Sequence, residues 1–230
     1  MRTAIYGAGS LGTILGAYIN KAGEPIELIN RNKAHVEALQ NSGAKVIGTV
    51  DFTQTVTAYT PAEMSGIYDI IFLMTKQQHN KEVVTMLKDF LAPDGVLVTF
   101  QNGLPELQIA EILGEERVLG CTVAWGATMQ SPGVCELTSE PDALSFGLGA
   151  ISAKRSRHFD KVKELLEMMG TVEVEEINLL DFKLFNQKKL SKEYAGLVLG
   201  SVIVSSEGCG YFNPICPPKL KNFSSIVVCV

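Results

Sequence analysis

Three glycines near the start of the chain have the spacing that binds a phosphate group. They belong to a Gly-x-Gly-x-x-Gly hexad, which reads Gly7, Ala8, Gly9, Ser10, Leu11 and Gly12. We expect the first glycine to turn the chain, the second to leave room for a phosphate, and the third to let a helix pack on a strand. The unpaired N–H groups at the start of such a helix, together with its dipole, attract a pyrophosphate. The hexad therefore predicts a dinucleotide site, with an ordinary glycine-rich turn as the alternative.

The residues on both sides of the hexad predict the elements that must position it. Residues 3–6 form a short apolar run that is typical of a strand. After the hexad begins, apolar side chains recur at the spacing of one helix face, at Leu11, Ile14, Leu15, Tyr18 and Ile19. A strand, a glycine turn and a helix in this order favour the dinucleotide site over the ordinary turn.

A second predicted strand, residues 26–29, ends in Asn30 and Arg31. At this position NAD-binding proteins place a carboxylate for the ribose 2′-hydroxyl, whereas NADP-binding proteins place a cation and small polar groups for the 2′-phosphate. Because no carboxylate directly follows this strand, the pattern favours NADP. The alternative for Arg31 is a solvent-exposed side chain that opens the next helix, which we predict over residues 32–39.

Two further apolar runs, residues 69–74 and 96–100, have the composition of strands buried on both faces of a parallel sheet. The first ends in Thr75 and Lys76, and the second is followed by Asn102. Ligands bind beyond the carboxyl ends of such strands, so we expect these side chains to lie at one rim, with Lys76 near a phosphate and Asn102 as an amide clamp. The alternatives are an exposed loop charge and a tight Asn-Gly turn. We interpret His79 as a rim residue rather than a catalyst.

The remaining pattern predicts an α/β, Rossmann-like fold with a mixed sheet. Residues 45–60 indicate one or two strands, and a helix running to Leu91 is expected to stop at the Pro93-Asp94-Gly95 turn. Residues 122–128 are expected to continue the main sheet, and a turn at residues 131–133 makes a hairpin. A further strand over residues 143–148 makes the second half of the sheet partly antiparallel.

The composition excludes several classes of protein. The formal net charge is −5 and no block of Lys and Arg occurs, which argues against nucleic acid and anionic membranes as partners. The first residues lack the layout of a signal peptide. The five cysteines show no metal-ligand spacing, so we expect reduced thiols, a cytoplasmic location and no metal.

Taken together, these residues resemble the ketopantoate reductase (2-dehydropantoate 2-reductase) family over roughly residues 1–180. The matching features, in chain order, are the glycine hexad, Asn30-Arg31, Lys76, Gln101-Asn102-Gly103 and the hairpin from Gly126-Ala127 to Pro132-Gly133. The resemblance implies reduction of ketopantoate to pantoate by NADPH, a step of pantothenate and coenzyme A synthesis. It also implies that Thr75, Lys76, Asn102 and Ala127 border the cofactor.

The resemblance weakens after residue 177, where we expect a domain boundary. The family continues with a helical domain whose Lys is the general acid, and Lys183 matches that position, with Lys189 as the second candidate. The family commonly has Gln where this chain has His79. We expect residues 178–230 to be a truncated or altered remnant of the helical domain, or a divergent short one. Its missing helices would expose an apolar face, which predicts a homodimer.

Three functions therefore remain open on sequence. The first is an NADPH-dependent reductase of ketopantoate, with Lys183 as proton donor and Asn102 as carbonyl and nicotinamide clamp. The second is an NADP-binding module without catalysis. The third is a related reductase of another 2-oxo acid.

Overall fold

The computed structural model describes residues 1–152 and 156–174. In chain order their strands are β1 (Thr3–Tyr6), β2 (Glu27–Ile29), β3 (Ala44–Gly48), β4 (Phe52–Gln54), β5 (Thr57–Tyr59), β6 (Tyr68–Leu73), β7 (Leu91–Thr99), β8 (Val118–Val123), β9 (Ala127–Ser131), β10 (Val134–Leu137), β11 (Ser145–Ala150) and β12 (Thr171–Val174). The helices are α1 (Ser10–Lys21), α2 (Lys33–Ser42), α3 (Asn80–Lys88), α4 (Pro105–Leu113) and α5 (Phe159–Glu167).

The main sheet of the described residues has eight strands in the order β12-β11-β8-β7-β6-β1-β2-β5. Six adjacent strands of this sheet run parallel to one another: β5, β2, β1, β6, β7 and β8. Strand β11 pairs antiparallel with β8, and β12 runs parallel to β11. The predicted mixed sheet is confirmed, and the carboxyl ends of β1, β2, β6 and β7 meet at one edge.

A second, four-stranded sheet has the order β4-β3-β10-β9 and packs on α1. The prediction that residues 122–128 continue the main sheet is therefore right as far as Val123, at the end of β8, and wrong for Ala127 and Thr128, which belong to β9. Residues 45–60 likewise contribute to three short strands rather than one or two. The physical reason lies in α1, where every residue from Gly12 to Ala17 is buried. A helix that is buried all round needs cover on both sides, and the small sheet covers the side that faces away from the main sheet.

Two apolar clusters fill the faces of the main sheet. One lies between the sheet and α1, α5 and the small sheet, and includes Ile14, Phe72 and Val162. The other lies under α3 and α4 and includes Ile71 and Ile109. The sheet is buried on both faces, which agrees with the apolar composition of β6 and of the second half of β7.

The helices that follow β2 and β6 differ in how well they agree with the prediction. The helix after Asn32 is confirmed: Asn32 caps α2 by accepting a hydrogen bond from the N–H of His35. The helix predicted to reach Leu91 was wrong, since α3 ends at Lys88 and Leu91 already belongs to β7. The Pro93 turn lies within β7, where the register with β6 shifts and forms a bulge. A bulge tolerates proline because it interrupts the ladder of hydrogen bonds.

None of the helices in the described ranges combines the length and the apolar character needed to cross a bilayer. The predicted boundary after residue 177 lies outside the described residues.

Candidate dinucleotide site

The glycine loop leaves β1 through a backbone conformation that only glycine adopts easily. Gly7 has a φ of +93°. A Cβ atom there would lie 2.7 Å from Cγ2 of Thr75 and 2.8 Å from its backbone nitrogen. The turn and its close approach to the end of β6 therefore both require glycine, as predicted for the first position of the hexad.

The other two glycines of the hexad face different surroundings. A Cβ at Gly12 would lie 2.9 Å from Cγ2 of Ile5, so this glycine lets α1 pack closely on β1. At Gly9 the nearest atom to an added Cβ would be the carbonyl oxygen of Gly7, 3.9 Å away. The steric role of Gly12 is confirmed. The space at Gly9 is open in the protein, as a bound phosphate requires, and its binding role stays a prediction.

The first turn of α1 presents backbone donors beside this space. The first helical hydrogen bond runs from the N–H of Thr13 to the carbonyl of Gly9, over 2.9 Å. The N–H groups of Ser10, Leu11 and Gly12 precede it and have no acceptor within the helix. No side chain caps the helix at Gly9. These donors and the positive end of the helix dipole form an anion-binding arrangement.

The end of β2 holds the loop in place. The N–H groups of Gly7 and Ala8 both donate to the carbonyl of Ile29, each over 2.9 Å. Asn30 donates from Nδ2 to the carbonyl of Ala8 over 2.7 Å, and its Oδ1 accepts from the N–H of Asn32 over 2.8 Å. The Asn30 side chain therefore ties the loop to the end of β2 through the buried Ala8.

Arg31 projects its charge at the same edge. Its side chain is exposed. Burial raises the pKa of the Tyr6 hydroxyl, and the nearby Arg31 charge opposes that rise. The guanidinium is thus close to the carboxyl end of β1 and accessible to a ligand.

A buried histidine, which the sequence analysis did not single out, also contacts the loop. Nε2 of His35 lies 3.1 Å from the carbonyl oxygen of Ala8 and 3.1 Å from Oγ1 of Thr13. Its Nδ1 accepts a hydrogen bond from the N–H of Gly133 over 3.0 Å. Burial lowers the pKa of His35, and its hydrogen bond with Ala8 opposes this shift. The only sequence signal was its place beside Val36 on the inner face of α2.

The ends of β6 and β7 are joined by a buried pair of amides. Asn80 donates to Oε1 of Gln101, and Gln101 donates to Oδ1 of Asn80, both over 2.8 Å. Gln101 also donates to the carbonyl of Thr75 over 2.7 Å. The sequence analysis missed Asn80, because its partner is distant in sequence. The pair fixes the rim from which Lys76 and Asn102 emerge.

Lys76 and Asn102 are both exposed on this rim. Nε2 of Gln77 donates to the backbone carbonyl of Asn102 over 3.4 Å, which connects the two loops. Thr75, which precedes Lys76, is the residue that Gly7 packs against. The structure therefore brings the glycine loop, Lys76 and Asn102 to the same edge of the sheet.

The opposite edge of the sheet carries a cavity of about 300 Å³, lined by Arg2, Glu27 and neighbouring residues. Both carboxylate oxygens of Glu27 already accept hydrogen bonds there, from Arg2 and Tyr68. The charged groups that line this cavity are paired with each other, and the cavity lies at the amino ends of the strands. The carboxyl edge is therefore the candidate site.

Comparison with known sequences decides the family. Residues 3–150 match the sequence model of the family described as "Ketopantoate reductase PanE/ApbA". The chain belongs to this family. A 2-dehydropantoate 2-reductase from Pyrococcus horikoshii is 30% identical over 174 residues, which cover 74% of this chain and 54% of that protein. This ketopantoate reductase family chain thus spans about half the length of the curated relatives it matches.

Two solved structures share the fold. A 2-dehydropantoate 2-reductase from Methylococcus capsulatus superposes with a TM-score of 0.72 at 21% identity, covering 87% of this chain and 65% of that one. A D-mandelate dehydrogenase, solved with NADH and anilino(oxo)acetate, gives a TM-score of 0.71 at 18% identity, covering 83% of this chain and 61% of that one. At these identities the likeness concerns the fold.

The remaining predicted site residues of this family member are Ala127 and Lys183. Ala127 is the first residue of β9 in the small sheet, just past the end of β8, and it packs against the core on the α1 side. Lys183, with its alternative Lys189, lies outside the described residues, so its predicted role stays a prediction. Within residues 1–152 and 156–174 no group of His, Cys, Asp and Glu could hold a metal ion.

Proposed function

We propose that this chain is an NADPH-dependent reductase that converts 2-dehydropantoate to pantoate. One observation carries the proposal: the glycine loop, Arg31, Lys76 and Asn102 lie at one carboxyl edge of a parallel sheet in a chain of the ketopantoate reductase family. This edge is where open α/β sheets bind dinucleotides and their substrates.

The described residues fit NADPH. The open space at Gly9 and the N–H groups of the first turn of α1 suit the pyrophosphate. The exposed Arg31 follows β2, where a cation suits the 2′-phosphate and a carboxylate would repel it. Lys76 adds a second positive charge at the rim. When bound, NADPH supplies a hydride to the carbonyl carbon of the substrate.

The chain's own groups then have two tasks. Asn102 is exposed at the end of β7, where its amide can donate a hydrogen bond to a carbonyl oxygen and so fix the orientation of the reacting groups. A cationic Lys must give a proton to that oxygen as it gains negative charge. We assign this proton donor to Lys183, with Lys189 as the alternative.

The test is oxidation of NADPH by the purified chain with 2-dehydropantoate, followed as loss of the reduced-nicotinamide absorbance. We expect turnover that Lys183→Ala abolishes and Lys189→Ala leaves in place. The exposed Lys81→Ala on α3 is the matched control for loss of a lysine charge. If Lys189→Ala removes turnover instead, the assignment of the proton donor is wrong and the function stands.

A second candidate is an NADP-binding module without catalysis. It is favoured by the fact that the described residues build the cofactor side of a site. Binding of NADP⁺ by a folded chain, with no turnover of 2-dehydropantoate or of a panel of other 2-oxo acids, would identify it. Turnover of a different acid in the panel would identify a related reductase.

Homodimer formation and a cytoplasmic location stay predictions. Size-exclusion chromatography with light scattering tests the first, and we expect twice the mass of one chain. A monomer over the working concentration range would contradict it.

A further inference from the structure

His35 connects three parts of the molecule that surround the phosphate-binding loop. It lies on α2, is 0% exposed, and contacts the loop at Ala8, helix α1 at Thr13 and the β9–β10 turn at Gly133. Thr13 reinforces the arrangement by donating from Oγ1 to the same Ala8 carbonyl over 3.2 Å. The contact with Gly133 spans 98 positions of the sequence.

The contacts define which ring nitrogen carries the proton. A backbone N–H can only donate, so Nδ1 must present its lone pair to Gly133. The proton of the neutral ring therefore lies on Nε2, where the Ala8 carbonyl accepts it. A second proton would place N–H against N–H at Gly133 and break that bond.

We propose that neutral His35 is a latch that holds the dinucleotide loop between α1 and the β9–β10 turn, and that protonation of the ring opens the latch by breaking its bond to Gly133. The latch rests on the proposed function in that its ligand is the dinucleotide bound by the same loop. Since Ala8 lies between Gly7 and Gly9, opening the latch detaches the turn from the segment that must contact the pyrophosphate, while Ala8 keeps its bonds to Asn30 and Thr13.

The elements packed around the ring also carry a buried thiol and several charged side chains. Cys135 on β10 lies beside Thr13, and burial raises the pKa of its thiol to about 11. On α2 itself Lys33 and Glu37 are exposed, and Lys45 on β3 forms an ion pair with Asp51. The loop and α1 contribute the uncharged Ala8 and Thr13. Burial lowers the pKa of His35 from its ordinary value of 6.5, so the latch opens on the acidic side of that value.

The test compares the dissociation constant of NADP⁺ at about pH 8 and about pH 5 by isothermal titration calorimetry. His35→Gln keeps a donor and an acceptor but does not titrate. The affinity of each protein at the lower pH is therefore expressed relative to its own affinity at the higher pH. On acidification the affinity of wild type should fall at least about fivefold more than that of His35→Gln. Titration of the ligand's own phosphate affects all variants alike and cancels in this ratio.

His79→Gln is the matched control, because it makes the same change at an exposed histidine and should keep the wild-type pH dependence. A second measurement needs neither a variant nor the ligand. NMR of the histidine rings should show the proton on Nε2 of His35, and hydrogen exchange at the Gly133 amide should accelerate as the ring titrates.

Two results would overturn the latch: a proton on Nδ1 near neutral pH, or equal pH dependence of binding in wild type and His35→Gln. A different result concerns the proposed function. If NMR shows the latch but wild type binds no dinucleotide at either pH, the latch is supported and the proposed function is contradicted.

Discussion

Replacing glycines of the hexad by alanine, one at a time, should separate folding from cofactor binding. At Gly7 the new methyl group would meet the backbone of Met74 and Thr75 at 2.9 and 2.8 Å, in a residue with a φ of +93°. The positive φ costs roughly 1–2 kcal/mol and the overlap about 1–3 kcal/mol. We therefore expect Gly7→Ala to lower the free energy of unfolding by about 2–5 kcal/mol.

At Gly9, substitution by alanine should leave the stability nearly unchanged and weaken cofactor binding. An added methyl group would have no protein atom closer than 3.9 Å, so the free energy of unfolding should change by less than about 0.5 kcal/mol. The methyl group would instead stand where the pyrophosphate approaches the backbone. Loss of one charge-assisted hydrogen bond, worth about 1.5–3 kcal/mol, should weaken NADP⁺ binding about tenfold to a hundredfold.

Another glycine provides a control for the free-energy cost of the positive φ alone. Gly23 has a φ of +95°, and an added Cβ there would meet nothing within 4 Å. Gly23→Ala should therefore show only the cost of positive φ, and the difference from Gly7→Ala gives the cost of the overlap.

Calorimetry supplies both quantities: scanning without ligand gives the melting temperature, and titration gives the dissociation constant of NADP⁺. For a domain of this size we expect Gly7→Ala to melt about 4–20 °C below wild type. Wild-type affinity in Gly9→Ala would refute the placement of the pyrophosphate. Equal losses of stability in Gly7→Ala and Gly23→Ala would refute the steric role of Gly7.

Other consequences of the structure can be tested in the same way. Gln101→Leu should leave the buried amide of Asn80 without its reciprocal partner and lower the free energy of unfolding by about 1–3 kcal/mol in urea denaturation; no change would contradict the pairing. Arg31→Ala should weaken NADP⁺ binding about tenfold and spare NAD⁺ in calorimetric titrations, whereas equal losses would exclude a contact with the 2′-phosphate. Because burial raises the pKa of Cys135 to about 11, its thiol should resist iodoacetamide near neutral pH until the protein unfolds, and peptide mass spectrometry would reveal early labelling. His35 has a lowered pKa in the folded chain, so below its ordinary value of 6.5 the unfolded chain binds the proton more readily. Its contribution to stability should be complete above that value and be lost as the pH falls through the folded pKa, and denaturation of His35→Gln should show a flatter pH dependence.

The sequence predicted elements whose signals are local. The apolar run, the hexad and the following helix occupy adjacent residues, and the structure has β1 and α1 there. The polar residues after β6 and β7 could be placed at one rim because parallel strands share an edge. Each of these inferences needed a pattern and a general rule about sheets.

Prediction from the sequence failed where a segment's structure depends on a partner that is distant in the chain. The turn at residues 131–133 indicated a hairpin but could not show that β10 would pair with β3 instead of the main sheet. For the same reason His35 looked like any histidine on a helix, since Gly133 lies 98 positions away. The Pro93 turn favours a helix stop on sequence alone, because the bulge that accommodates it depends on the register with β6.

The small sheet also has a consequence for the order in which the protein folds. It joins the segment after α2 to the β9–β10 hairpin, as in the contact between Thr49 and Ser139, 90 positions apart. Until the hairpin has been synthesised, the outer side of α1 has only β3 and β4 to cover it, although the hexad itself is among the first residues made. Long-range pairing of this kind slows folding, because a large loop must close before the contacts form. The first motif in the sequence is therefore among the last parts of the fold to be completed.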